Sequence, residues 1–307
     1  MAEYDIIVIG SGVAGLTAGL FAARHGLSTL ILESNIPGGH LISIDKIEDF
    51  PGFPDGIAGY DLCPTVQRQA ADQGAEFQRA EVSSLEMQDR MWSVVTDEER
   101  HRAKAVIVAT GSKLKNLSVP GEEKLMGRGV SHCASCDGPL YDGQVVAVVG
   151  GGDSALQEAL TLTNFAETVL VFQREASFTG SHSYLDRVLS EPKIAPRYRT
   201  TVEEVLGDDQ LTGVRVRNLA SNEVSQVDVA GLFVYVGMKP NTGFLQNVLQ
   251  IGDTGHVPTD GWMKTARDGL YAVGDIRQDS AAQAIASAGD GATAAIAAYR
   301  YIKETFR

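Results

Sequence analysis

The chain has 307 residues, 44% hydrophobic and 21% charged, with 26 Lys and Arg against 39 Asp and Glu for a net charge of −13. This composition excludes disordered and fibrous chains, and the length predicts about two domains. The acidic surplus argues against a nucleic-acid partner, because phosphate binding draws on Lys and Arg.

Met1-Ala2-Glu3-Tyr4-Asp5 carries no basic patch ahead of the first apolar run, so it is not read as a secretory signal. No apolar stretch reaches the ~18 residues of a membrane span. A cytoplasmic protein with no membrane partner is expected. Residues 4–34 then predict a strand (Tyr4 to Ile9), a turn (Gly10 to Gly15), an Ala-rich helix (Leu16 to His25) and a second strand (Leu27 to Leu32). Residues 144–173 repeat this plan with Val145 to Val149, Gly150 to Ala155, Leu156 to Phe165 and Thr168 to Phe172. Two βαβ units in one chain predict two nucleotide-binding domains of related architecture. The C-terminal stretch returns to Gly/Ala-rich character, as if to rejoin the first domain, which makes the second an insertion.

Gly10-Ser11-Gly12-Val13-Ala14-Gly15 is a GxGxxG turn between a strand and a helix, and Glu33 follows Gly15 by 18 residues. The glycines permit a tight turn and let backbone N–H groups approach a pyrophosphate, while the acid can accept both ribose hydroxyls of an adenosine. A dinucleotide site is expected here. Gly150-Gly151-Gly152-Asp153-Ser154-Ala155 is GxGxxA in the same setting, and 18 residues past Ala155 stands Gln173. An acid there selects NADH and an arginine cluster NADPH. Gln173 is neutral, offers a ribose only a weaker hydrogen bond, and has Arg174 beside Glu175, whose charge repels a 2′-phosphate. Gly150, Gly152, Asp153, Ser154 and Arg174 are the candidate contacts for a nicotinamide nucleotide, and an inherited fold that no longer holds one is the alternative.

His132-Cys133-Ala134-Ser135-Cys136-Asp137-Gly138 contains two of the three cysteines. CxxC spacing suits a reversible disulfide. Zinc would require two further ligands with their own spacing, which the chain lacks, so no metal site is expected. Asp137 is a candidate to protonate a departing thiolate, with a turn or cap role as its plainer reading. Cys63 reads as a small buried residue.

Together the motifs resemble the low-molecular-weight thioredoxin reductase family of FAD-dependent pyridine-nucleotide disulfide oxidoreductases. The resemblance spans essentially the whole chain: GSGVAG at 10–15, IPGGHL at 36–41, EDFPGFP at 48–54, ATG at 109–111, SHCASCDG at 131–138, GGGDSA at 150–155, VGMKPNT at 236–242, and AVGDIRQ through AAQAIASAGDG between 272 and 291. It implies an α/β fold of two Rossmann-like dinucleotide-binding domains, each a three-layer ββα arrangement, with the second inserted in the first. Residues 1–114 and 243–307 would bind one FAD per chain. Residues 115–242 would form an NAD(P)H-binding-like domain carrying the cysteine pair.

By this resemblance Gly10, Gly12, Ala14, Gly15 and Glu33 hold the FAD pyrophosphate and adenosine ribose. Gly39 and His40 line the cofactor, with His40 where the family usually has Gln, and Asp49 stands where it often has Asn. Ala109 and Gly111 of the ATG segment belong to the same site. In Gly274-Asp275 the carboxylate would bond the ribitol. Gln283 and Ala284 would offer backbone N–H groups to the flavin, with Ala282 where Arg is common. Cys133 and Cys136 match the redox pair, which takes electrons from reduced flavin and passes them to the disulfide of a thioredoxin-like protein.

NADPH-dependent relatives carry HRRxxxR, whereas residues 172–179 here keep one arginine of three. That departure argues against NADP(H) and points to the deeply rooted or ferredoxin-dependent flavin thioredoxin reductase subgroup. The alternatives are an ordinary NADPH-dependent thioredoxin reductase, a flavin dithiol oxidase using oxygen, and a non-catalytic FAD redox sensor. A ferredoxin donor would require a basic patch, for which Arg100, Arg102 and Lys104 form one cluster and Lys113 and Lys115 another. The family also implies a homodimer. Tyr299, Tyr301 and Phe306 read as a helix core stripe.

Overall fold

The computed structural model describes residues 2–306. It divides into two compact units, Met1–Lys113 with Lys239–Arg307, and Leu114–Met238. The divisions fall after Lys113 and Met238, where the sequence reading placed them after residues 114 and 242. In chain order the first unit runs β1 (Glu3–Ile9), α1 (Val13–Arg24), β2 (Thr29–Glu33), α2 (Gly59–Asp72), β3 (Glu76–Arg79), β4 (Val82–Gln88), β5 (Met91–Thr96) and β6 (Arg100–Val108). The crossing β7 (Ser112–Leu114) leads to α3 (Glu122–Leu125), β8 (Val130–Ser131), α4 (Ala134–Asp137), β9 (Val145–Val149), α5 (Asp153–Leu162), β10 (Thr168–Gln173), α6 (His182–Ser190), β11 (Ile194–Tyr198), β12 (Thr200–Leu206), β13 (Gly213–Asn218), β14 (Val224–Asp228) and β15 (Gly231–Val234). After the crossing β16 (Met238–Pro240), β17 (Leu270–Ala272) and α7 (Ala284–Thr305) complete the first unit.

In the first unit β3, β2, β1, β6 and β17 pair parallel. The early half of β6 also pairs antiparallel with β5, and β5 with β4. One strand thus serves two layers. Side chains alternate along β1: Ile6 and Val8 join the core under α1 and α7, while Ile7 and Ile9 join the opposite core with Leu30, Trp92 and Val106. Small residues fill the helical side, with Ala14, Ala18 and Ala22 of α1 and Ala294, Ala295 and Ala298 of α7 all buried, so helix and sheet backbones lie close.

The second unit is a parallel sheet in the order β11-β10-β9-β15-β8, with the antiparallel set β12-β13-β14 beside it. Ala155, Leu156, Ala159 and Leu162 of α5 pack on Val146, Val148 and Val171. The other sheet face, with Ala147, Val149 and Phe172, packs on Val202, Val214 and Val216. Each unit therefore has helices, a Rossmann-like parallel sheet and an antiparallel layer.

The helices begin earlier than their apolar patterns suggest. Gly12 caps α1, its carbonyl accepting the Leu16 N–H at 2.9 Å, so Val13 to Gly15 are already helical rather than turn. Likewise α5 starts at Asp153 because the Gly152 carbonyl accepts the Leu156 N–H at 3.0 Å. Among the described residues no helix is long and apolar enough to cross a membrane.

Candidate functional site

The first glycine turn is set by two close backbone approaches. Gly10 has φ of +99°, and a Cβ there would run into the Ala109 carbonyl. A Cβ on Gly15 would collide with the Gly10 carbonyl. Gly12 differs: a Cβ on it would meet nothing within 4 Å, so its backbone faces open space at the start of a 12-residue helix. Backbone N–H groups at such a helix start suit an anion. Gly39 lies beside it, where a Cβ would be 3.4 Å from the Gly12 Cα, and Gly38 donates its N–H to the Ser11 carbonyl at 2.9 Å.

Glu33 is fixed from the same turn. Its Oε2 accepts the N–H and O–H of Ser11, both at 2.8 Å, and its Oε1 accepts the Asn35 N–H at 2.9 Å. Ser11 is fully buried, and sequence reasoning passed over it although it sits between two motif glycines. Ala109 donates its N–H to Ile9, and the Gly111 carbonyl accepts the Asn241 N–H at 3.0 Å. Gly274 is buried against Ala14. Burial pushes the adjoining Asp275 carboxyl above its ordinary range, while the Ser287 hydroxyl at 3.3 Å and the charge of His40 pull it back. A carboxyl so placed gains from a hydroxyl donor such as a ribitol. The open face at Gly12 and the half-buried acid at Asp275 thus fit a dinucleotide with a polyol arm. Gln283 caps α7 and Ala284 opens it, whereas Asp49 lies exposed on the loop joining Ile47 to Ile57.

In the second unit Cys133 and Cys136 form a disulfide. Ser131 Oγ accepts the Cys133 N–H at 3.0 Å, the Cys136 N–H donates to Cys133 Sγ at 3.3 Å, and the Asp137 N–H donates to the Cys133 carbonyl at 3.1 Å. Cys136 is exposed and Asp137 half-buried. The Ala134 N–H donates to Glu158 Oε2 at 3.0 Å, and the Tyr235 hydroxyl donates to the same oxygen at 3.2 Å. Glu158 and Tyr235 carried no signal in the sequence, being 24 and 101 residues from Ala134. Cys63, in the first unit, donates to the Gly38 carbonyl, and burial pushes its thiol up to about 11, so it is inert. Among the described residues no group of three or more His, Cys, Asp or Glu is placed to hold a metal ion.

The second glycine turn is covered by its own loop. The Gly151 carbonyl accepts the N–H groups of Thr179 and Gly180 at 2.8 and 3.1 Å. Gln173, expected to offer a weak hydrogen bond to a ribose, instead turns inward: it is 6% exposed, packs over Gly151, and donates Nε2 to the Ser177 carbonyl at 3.2 Å. A buried amide needs an internal partner, and this loop supplies it. Arg174 is exposed and paired with Glu175 at 3.2 Å. Asp153 Oδ1 accepts the Ser181 N–H at 2.6 Å, Gly152 faces open space, and Ser154 is exposed.

The basic cluster on β6 is neutralised. Arg100 pairs with Glu86 at 3.7 Å, Arg102 with Glu3 at 3.1 Å and Lys104 with Asp5 at 2.7 Å. Those residues do not form a free positive patch. Tyr299 stacks on His25 and Tyr301 packs against the first core.

Comparison with known proteins gives a consistent picture. Residues 4–291 match the family model for pyridine nucleotide-disulphide oxidoreductases. The chain is 39% identical over 302 residues to a thioredoxin reductase of Mycolicibacterium smegmatis, covering 98% of this chain and 97% of that one. It is 38% identical over 307 residues to NADPH-dependent thioredoxin reductase 3 of Arabidopsis thaliana, covering 97% of this chain and 58% of that protein. The crystal structure of Lactococcus lactis thioredoxin reductase superposes with a TM-score of 0.96 at 35% identity, covering 98% and 99% of the two chains.

Proposed function

Because the chain belongs to the low-molecular-weight thioredoxin reductase family of FAD-dependent pyridine nucleotide-disulphide oxidoreductases, we propose that it reduces a thioredoxin-like disulfide through Cys133 and Cys136 without efficient use of NADPH. The observation that carries the second half is the Gln173–Glu175 segment. Its amide is buried on Gly151 and its one arginine is paired with an acid, which leaves little to attract a 2′-phosphate. Reduced ferredoxin, delivering one electron at a time and twice per disulfide, is the proposed donor; with Arg100, Arg102 and Lys104 paired to acids, the exposed Lys113 and Lys115 are the basic residues proposed to meet its acidic surface. A cytoplasmic homodimer is part of the same reading.

FAD, when bound, supplies a two-electron carrier. Gly10, Gly12, Ala14 and Gly15 would receive its pyrophosphate, Glu33 its adenosine ribose and Asp275 its ribitol. Gly39, His40, Asp49, Ala109, Gly111, Gly274, Gln283 and Ala284 complete that proposed site. The Cys133–Cys136 disulfide takes up two electrons and two protons to become two thiols. One thiolate then opens the partner's disulfide, forming a mixed disulfide, and the second displaces the partner as a dithiol while Cys133–Cys136 closes again. Asp137 is placed next in the chain to Cys136 to supply the proton that a leaving thiolate needs.

A second reading, ordinary NADPH-dependent reduction, is favoured by Arg174, by the open face at Gly152 and by the name of the Arabidopsis relative. Anaerobic mixing of the oxidised holoenzyme with NADPH, NADH and reduced ferredoxin in parallel separates the two. The proposal expects flavin bleaching with ferredoxin alone. Rapid bleaching by micromolar NADPH would overturn it.

A further inference from the structure

We propose that Glu158 and Tyr235 are positioning residues for the redox pair: the Glu158 carboxylate, steadied by the Tyr235 hydroxyl, sits on the Ala134 backbone and controls how readily Cys133 and Cys136 ionise and how strongly they reduce. The inference rests on the redox role proposed above for the two cysteines.

Ala134 lies between them in the chain and is fully buried. Its N–H, one of the free donors at the start of the CxxC turn, goes to Glu158 Oε2 on α5. Tyr235, the residue after β15 and 7% exposed, donates to that same oxygen. Two donors from buried residues on one oxygen hold the carboxylate in place. Burial, and then the charge of Glu158 itself, hold the Tyr235 hydroxyl protonated far above the ordinary range for a phenol, so it remains a donor. The other acid acting on Tyr235 is Asp137, which stays unchanged in the variants below.

Two influences therefore oppose each other at the turn. The Cys136 N–H reaches Cys133 Sγ and favours a thiolate there once the S–S bond opens. The Glu158 charge, one peptide unit away, disfavours it. A disfavoured thiolate destabilises the reduced pair and makes it the stronger reductant. The arrangement thus tunes the pair toward giving electrons away.

Glu158→Gln keeps an oxygen for both donors and removes only the charge. In the reduced holoenzyme the iodoacetamide alkylation rate of Cys133 and Cys136, assigned by peptide mass, is expected to move to lower pH. In a dithiothreitol buffer, each dithiothreitol closes to its cyclic disulfide as Cys133–Cys136 opens to two thiols. That equilibrium is expected to shift toward the protein dithiol by about tenfold, or about 30 mV, above the pH at which the thiol titrates, and not below it. Tyr235→Phe leaves the full charge on the turn and is expected to shift the alkylation profile to higher pH. Because Glu158 and Tyr235 lie in the second unit and the proposed flavin site in the first, a far-ultraviolet circular dichroism spectrum and urea unfolding midpoint equal to those of the unaltered protein certify the fold of each variant. An unchanged profile in Glu158→Gln, or shifts of the same sign in both variants, overturns the inference while leaving the redox role intact. Failure of the unaltered protein to interconvert reversibly overturns the redox role itself.

Discussion

Arg277 and Asp290 form an ion pair, Nε to Oδ2 at 2.9 Å, and the same Asp290 oxygen accepts the Gly274 N–H at 3.2 Å. The pair ties the Gly274-Asp275 segment to α7, which carries Asp290, with side chains only 18% and 10% exposed. Asp290→Ala leaves a largely buried guanidinium without its partner and frees the Gly274 N–H. It should cost about 3–5 kcal/mol in urea unfolding and lower the FAD content of the purified protein. Asp290→Asn, which can still accept from Gly274, should lose less.

Gly15 has no room for a side chain, because its Cβ would strike the Gly10 carbonyl inside the turn that starts α1. Gly15→Ala must push the helix from the strand. The expected outcome is protein with little bound flavin, read from its visible absorbance, whereas Gly26→Ala at the far end of α1 meets open space and should keep its flavin. At Gly26 the backbone has φ of +73°, so that variant should still lose about 1 kcal/mol of stability.

Glu175 faces Arg174 across 3.2 Å, and both are exposed. Glu175→Arg combined with Thr179→Arg removes the competing acid and places three guanidinium groups on one loop. If NADPH use is limited by this charge pattern, the double variant should raise NADPH-driven flavin reduction by tenfold or more, roughly 1.4 kcal/mol. NADH, which lacks the 2′-phosphate, should gain far less.

Asp5 pairs with Lys104 at 2.7 Å and accepts the Ser28 N–H. Burial alone would raise its carboxyl, but the Lys104 contact and the Ser28 hydrogen bonds hold it below its ordinary value. Its contribution is therefore complete above the unfolded-state value and is lost as pH falls through the lower folded one. Asp5→Asn should cost about 0.5–1 kcal/mol near neutral pH, discounted for partial exposure, and the difference should vanish in acid. Parallel urea titrations across that range measure it.

The parts of the site legible in the sequence are those built by neighbouring residues. Each GxGxxG or GxGxxA turn lies within six consecutive positions, and CxxC closes its ring over four, so spacing alone carries the geometry. The alternation of Ile6, Ile7, Val8 and Ile9 between two cores is likewise a consequence of strand pleating. Even here the helix starts moved, because a glycine carbonyl caps a helix whose first turn has no apolar stripe to announce it.

What the sequence could not disclose is where a polar side chain finds its partner. Ser11 meets Glu33 across 22 residues, Ala134 meets Glu158 across 24, and Lys104 meets Asp5 across 99. The Arg100, Arg102 and Lys104 cluster looked like free charge only because its acids lie on β1 and β4. Gln173 looked like a weak ribose contact only because nothing local shows that its loop folds back on Gly151. The sequence by itself determined which chemistry the chain carries, since glycines and paired thiols act through local backbone. The tertiary structure decided which charges remain available, since hydrogen bonds and ion pairs form between groups that only folding brings within 3 Å or so of each other.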